Sequence, residues 1–217
     1  MSAPKPKKIP KILEAHEDLR TDNYYWLRDD TRKNAEILSY LEEENKYCEE
    51  WFSNGVDYRK EIYEELVKSI PSEETSLKIK KDDFYYFSKM KSDEQYPVYF
   101  REKENLVEEI LNVNKLGKDL DYYQISGVSP SPNNNIIAYG EDKNGRREYT
   151  VKFKDLKSDS LLIDELQNTS GNISWGSDEY IYYTLKDPKT LISNKVFRHK
   201  LGESQKDDFL IYEELDD

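Results

Sequence analysis

Ser129-Pro130-Ser131-Pro132-Asn133-Asn134-Asn135 followed by Ile136-Ile137-Ala138-Tyr139 reads as a turn feeding a short strand. Proline presets its own backbone angle, and asparagine bonds to nearby backbone, so the first part turns. The second part is a short apolar run rich in strand-favouring side chains. That strand has counterparts on both sides, in Phe84-Tyr85-Tyr86-Phe87 and Tyr180-Ile181-Tyr182-Tyr183. A further strand follows each one, around Val98, Val151 and Val196, and then another around Ile110, Leu162 and Leu210. A preceding strand fits at Leu77-Lys78-Ile79, Ile125 to Ser129 and Ile173-Ser174-Trp175. Four strands therefore recur in fixed order with a period of about 45 to 50 residues, the pattern of β-propeller blades. The expected blades cover about 76–118, 122–167 and 172–214. An unrelated β-sandwich of about 12 strands is the competing architecture for the same strand content.

Two turns refine this reading. Asn144-Gly145 suits a tight hairpin turn. Ser129 to Asn133 occupies the place where propeller blades often carry a Ser-Pro-Asp-Gly-like turn, with asparagine here in place of Asp-Gly.

Upstream of residue 76 the hydrophobic period is helical. Met1 to Lys11, rich in lysine and proline, is expected to be extended or disordered. Asp22-Asn23 suits a turn, and Tyr24-Tyr25-Trp26 supplies apolar area to bury. Asp29, Asp30 or Thr31 can cap the helix that follows. Ile37, Leu41, Cys48 and Phe52 share one face of a helix over 34–52, with Tyr40, Tyr47 and Trp51 beside them. Cys48 is expected to be a small core residue. After a break at Ser53-Asn54-Gly55, Tyr58, Ile62, Leu66 and Ile70 repeat every four residues in a second helix, from about Val56 to Ile70. Pro71 ends it by disfavouring helical geometry at Ile70. The expected division is a helical extension over 1–75 and a partial propeller over 76–217.

Composition excludes several functions. The net charge of −12 argues against nucleic acid, because phosphate contacts need clustered Lys and Arg. The same charge favours cationic peptides through long-range steering. Cys48 is alone, so no internal disulfide forms and no zinc spacing exists with His16 and His199. No apolar run reaches the roughly 20 residues of a membrane span, and none of signal-peptide length follows the basic start. A cytoplasmic protein without membrane contact is expected. The sequons at Asn168 and Asn172 would then go unused. The 18 tyrosines suit half-buried strands, since the ring packs while the hydroxyl stays wet.

Two matches in the right order carry a family resemblance. The first is Tyr24-Tyr25-Trp26-Leu27-Arg28-Asp29-Asp30 with Tyr40-Leu41-Glu42-Glu43-Glu44-Asn45. The second is Leu201-Gly202 with Asp207-Asp208-Phe209-Leu210-Ile211-Tyr212-Glu213-Glu214. From about Pro10 onward the chain resembles the N-terminal region of the prolyl oligopeptidase family of serine peptidases, oligopeptidase B most of all. The resemblance implies about three four-stranded blades of a seven-bladed propeller. It also implies a separate α/β-hydrolase domain, beyond the end of this chain, as the partner of the N-terminal helices. For the whole protein it implies cleavage of short basic peptides after Lys or Arg, with no cofactor. The Arg28-Asp29-Asp30 run leans away from a family member that cleaves after proline.

No catalytic residue can be assigned within the chain, and no substrate-binding residue is identified. The nearest approach to a Gly-x-Ser-x-Gly nucleophile elbow is Gly202-Glu203-Ser204-Gln205-Lys206, which lacks the second glycine and reads as a loop. His16 and His199 read as surface or packing residues. The pairs Asp82-Asp83, Asp207-Asp208 and Asp216-Asp217 lack calcium-loop spacing and read as solvated turns. An open run of blades should leave an edge and a face uncovered, with Trp175, Tyr180, Tyr182 and Phe209 as candidates for that face. Trp26, Tyr47, Trp51 and Tyr63 would be covered by the hydrolase domain. A non-enzymatic binding module holding a basic partner on blade edges or acidic turns is the alternative from another functional class.

Overall fold

The computed structural model of the chain describes residues 2–53, 55–188 and 190–216. Asn54 of the expected helix break and Asp217 of the last acidic pair lie outside them. The chain divides into two compact units, Met1–Ile70 and Pro71–Asp217.

The first unit opens with an antiparallel hairpin of β1 (Lys11–Ala15) and β2 (Asp18–Asp22). Its two-residue turn places His16 at φ 52° and Glu17 at φ 63°, the left-handed pair such turns require. Tyr25–Leu27 form a 3-10 turn, and the Trp26 indole N–H donates to the Lys7 carbonyl at 2.8 Å. Helix α1 (Ala35–Ser53) is followed by α2 (Val56–Ser69), within a residue of the expected limits. Ile70 is extended before Pro71, as the steric rule requires.

The cap of α1 differs from expectation. Asn34 Oδ1 accepts from the backbone N–H groups of Glu36 and Ile37, at 3.0 and 3.4 Å. Asp29 organises the preceding turn instead. Its oxygens accept from Thr31, Lys33 and Asn34 backbone N–H groups and from the Thr31 hydroxyl. The hydroxyl bond, followed by the backbone bonds, holds the Asp29 carboxyl down at about 2. Ile37 is buried on α1, whereas Trp51 is 64% exposed and Tyr63 on α2 is 67% exposed. Cys48 is exposed too, because the residues around it on α1 are themselves uncovered, and the core role expected for it does not hold.

In the second unit every strand pair is antiparallel. One sheet joins β3 (Glu73–Thr75) and β4 (Ile79–Lys81) to successive halves of β5 (Phe84–Lys91), followed by β6 (Val98–Lys103) and β7 (Leu106–Asn112). A one-turn helix α3 (Val113–Leu116) leads to a seven-stranded sheet. Its strands are β8 (Gln124–Pro130), β9 (Ile136–Asp142), β10 (Tyr149–Asp155), β11 (Ser160–Trp175), β12 (Tyr180–Lys186), β13 (Ser193–Lys200) and β14 (Phe209–Glu213).

β11 makes two blades look like one sheet. Its first half pairs with β10, and its second half pairs with β12 after a register shift between Thr169 and Ile173. One strand thus closes the outside of a blade and begins the inside of the next. Glycine permits the passage. Gly171 has φ +90°, and a Cβ there would lie 2.7 Å from the Tyr149 ring. The expected second strands fall on β5, β9 and β12, and the third strands on β6, β10 and β13, so the fold is mainly β in propeller blades.

Asn144-Gly145 does not make a two-residue hairpin. Buried Asp142 organises a longer loop by accepting from the N–H groups of Asn144, Gly145 and Arg147. One core cluster gathers Ala138, Val151, Phe153, Leu166, Ile181 and Tyr183. A second joins Ile110 and Leu111 of the first blade to Ile137, Tyr139 and Leu156 of the next. Trp175 was expected on the uncovered face. Its ring instead meets Phe153 edge-on at 6.1 Å, and its N–H donates to the Ser129 carbonyl. Tyr180 and Tyr182 are half-buried, and Phe209 is 61% exposed.

Candidate functional site

Three blades meet at the Ser131–Asn135 turn. Ser131 is fully buried, and its hydroxyl accepts from the Ile136 N–H at 3.0 Å while donating to Asn133 Oδ1 at 2.9 Å. Asn134 takes φ +60°, a conformation asparagine tolerates, which explains how asparagine replaces glycine near here. The first blade reaches this turn through Lys81, whose ammonium donates to the carbonyls of Pro130 and Ser131 at 2.5 and 2.9 Å. Arg101 donates to the Asn134 carbonyl at 2.5 Å, and the Tyr86 hydroxyl to Asn134 Oδ1 at 2.8 Å. From the third blade, Asp178 Oδ1 accepts from the Asn133 N–H at 2.8 Å. Burial lowers the pKa of Lys81 from the ordinary lysine value, with Asp82 and Asp178 pulling the other way. These bonds tie the first, second and third blades together at one turn.

A cleft of about 500 Å³ lies between β7 with α3 and the second blade, lined by Glu108, Leu111, Leu116, Tyr139, Leu156 and Leu161 among others. Both lysines in it are engaged. Lys115 pairs with Glu109 at 2.8 Å, and Lys154 bridges Asp159 at 2.5 Å and the Ile110 carbonyl at 3.0 Å. At the other end of the second blade, the Tyr123 hydroxyl donates to buried Glu141 at 2.9 Å. Burial, aided by Glu141, pushes the Tyr139 hydroxyl up to about 12.

The candidate catalytic side chains do not converge. His16 sits in the β1–β2 turn of the first unit. Ser204 lies in a loop, as expected, where its hydroxyl accepts from the Lys206 N–H and caps a 3-10 turn over Gln205–Asp207. His199 on β13 is 1% exposed and has a carboxylate at each ring nitrogen, Asp208 at 2.6 Å from Nδ1 and Asp164 at 3.2 Å from Nε2. Neither nitrogen is left to activate a hydroxyl. Asp208 is not the solvated turn residue expected. Its side chain is 2% exposed because it also accepts from the Tyr183 hydroxyl at 2.6 Å. Asp83, by contrast, is exposed and pairs with Lys103. Among the described residues, no group of three or more His, Cys, Asp or Glu side chains is placed to hold a metal ion. No helix among them is long and apolar enough to cross a membrane.

The fold and these sites define a run of propeller blades whose polar side chains fasten blade to blade. Residues 4–217 match the family model for the N-terminal β-propeller domain of prolyl oligopeptidase, and the chain belongs to that family. It is 35% identical to dipeptidyl aminopeptidase BI of Pseudoxanthomonas mexicana and 34% identical to protease 2 of Moraxella lacunata, over 99% and 100% of its own length. Among solved structures it is similar to oligopeptidase B of Leishmania major, with a TM-score of 0.87 and 25% identity over 99% of the chain. Oligopeptidase B of Trypanosoma brucei gives a TM-score of 0.84 at 26% identity, also over 99% of the chain. The chain spans only about a third of each relative, from 32% to 33% of their lengths.

Proposed function

We propose that this chain is the propeller portion of an oligopeptidase B-like serine endopeptidase that cleaves short peptides after Lys or Arg. The likeness to two oligopeptidase B structures over 99% of the chain carries the reading. An α/β-hydrolase domain C-terminal to these residues supplies serine, histidine and aspartate, and acylation of the serine starts the reaction. The chain contributes packing surface for that domain and blades that restrict access to small substrates. Its net charge of −12 favours the approach of cationic peptides. The lone Cys48, which leaves no internal disulfide to form, is compatible with a cytoplasmic setting.

A second reading has its own support, since the 35% identical relative is named a dipeptidyl aminopeptidase. Such an enzyme needs a free substrate N-terminus. The test is to assay the whole protein with N-terminally blocked Arg and Lys reporters, free dipeptidyl reporters and blocked Pro reporters. Turnover of blocked Arg or Lys reporters supports the proposal. Turnover confined to free dipeptides transfers the protein to the second reading, and turnover of Pro reporters alone to a proline-cleaving one. A whole protein silent on all three favours a non-enzymatic binding module.

A further inference from the structure

Three buried ionisable side chains meet around His199 at the boundary of the second and third blades. Asp164 comes from β11 in the second blade, and His199 from β13 in the third. Asp208 comes from the 201–208 loop that leads into β14. All three side chains are at most 4% exposed. Two further bonds tie the loop to both blades. The Gly202 N–H donates to Asp164 Oδ1 at 2.5 Å, and the Tyr183 hydroxyl from β12 donates to Asp208 Oδ2. The same loop supplies Gln205, whose side-chain amide accepts from the Gln167 N–H and donates to the Gln167 carbonyl, at 2.9 and 3.1 Å. That amide covers one edge position of β11.

Neutral imidazole has one N–H, and imidazolium has two. Between two carboxylates, a neutral ring must turn a lone pair toward one of them. Only the protonated ring makes both contacts as charge-assisted hydrogen bonds. We propose that His199 is a proton-dependent latch, whose protonated ring fastens the 201–208 loop, and with it β14, across the boundary between two blades. The latch is present while the ring holds two protons and weakens as pH rises through its titration. Release frees β14 and uncovers the edge of β11 at Gln167.

The other groups around the ring leave this dependence readable. Burial, then the bond to Asp208, raises the Tyr183 hydroxyl well above the ordinary tyrosine range, so it remains a donor at neutral pH. Phe153 of β10 stacks on the ring at 6.3 Å and carries no charge. Glu165, Glu203 and Lys206 line the adjoining cleft.

The test is hydrogen exchange of the Leu210–Glu213 amides in the full chain, corrected for intrinsic rates, as pH is raised from about 5.5 until NMR of the His199 ring shows loss of its second proton. β9 amides serve as the internal reference. The expected result is local opening that rises about tenfold or more toward alkaline pH, the scale of one lost charge-assisted bond. Asp208→Asn is the discriminating variant. Its amide oxygen can accept from Tyr183 while its N–H₂ donates to Nδ1, so a neutral ring is satisfied and can still donate to Asp164. Protection should then persist and lose its pH dependence. Opening in the unmodified chain that does not change across this range overturns the latch. So does an Asp208→Asn variant that keeps the original pH dependence.

Discussion

Phe153→Ala probes whether neighbouring blades share one core. Phe153 is fully buried among Ala138, Val151 and Leu166 of its own blade and Ile181 and Tyr183 of the next. It also meets the Trp175 ring at 6.1 Å. Aromatic side chains bury about 150–250 Å² each. At about 25 cal/mol per Å², the upper figure corresponds to roughly 6 kcal/mol before the alanine that remains is subtracted. Measured Phe→Ala costs in cores of about 3–5 kcal/mol fit that ledger. A loss of that size is a large share of a domain's margin of about 5–15 kcal/mol. Urea unfolding followed by tryptophan fluorescence and far-UV circular dichroism gives the measurement, with Trp26 and Trp51 replaced by Phe so that Trp175 alone reports, from the third blade. Both signals should shift together, by about 3–5 kcal/mol. Ile163→Ala, at a position 92% exposed, is the control and should stay within about 0.5 kcal/mol. A Phe153→Ala cost below about 1 kcal/mol would refute the shared core, since core truncations of this size do not fall so low.

Two further outcomes follow from local geometry. Gly171→Ala should destabilise more than Gly202→Ala in the same unfolding assay. Both have positive φ, +90° and +87°, but a Cβ at Gly171 meets Tyr149 at 2.7 Å while one at Gly202 meets nothing within 4 Å. The left-handed penalty of about 1–2 kcal/mol therefore applies to both, and a steric cost to Gly171 alone. Equal losses would refute the close-passage account of β11. Asp29, held at about 2 against an ordinary 3.8, stabilises the turn before α1 above pH 3.8, and this contribution is lost as pH falls through the folded value. A carboxyl carbon titration by NMR with a midpoint at or above 3.8 would contradict the hydrogen-bond pattern drawn for it.

The strand order was legible because four apolar runs recur with the same spacing, and strands reveal themselves by their neighbours in a repeat. Helix α2 was legible because Pro71 forces its end. The β1–β2 hairpin was not. Its turn is His16-Glu17, without the glycine or asparagine that marks a left-handed pair, and its apolar residues Ile12 and Leu19 are 69% and 66% exposed. The Asn34 cap was overlooked in favour of three earlier residues, Asp29, Asp30 and Thr31, and only the path of the turn decides which side chain reaches the orphan N–H groups. The His199 cluster was hidden for a different reason. Its carboxylates lie 35 positions upstream and 9 downstream, and an acidic pair such as Asp207-Asp208 carries no local sign that one member turns inward. The blade-joining role of Ser131 to Asn135 was half visible, since the turn itself could be read while its partners Lys81, Arg101 and Asp178 come from other blades.

The chain is a propeller domain of its family, and the proposed reading places the chemistry in a hydrolase domain outside these residues. Hydrolysis of a blocked Arg reporter is measured with the purified 217-residue chain alone and with the whole protein of the proposed reading. No turnover is expected from the chain alone, and turnover is expected from the whole protein, lost when the serine of its Gly-x-Ser-x-Gly elbow is replaced. Turnover by the chain alone that disappears in Ser204→Ala would contradict the proposed reading.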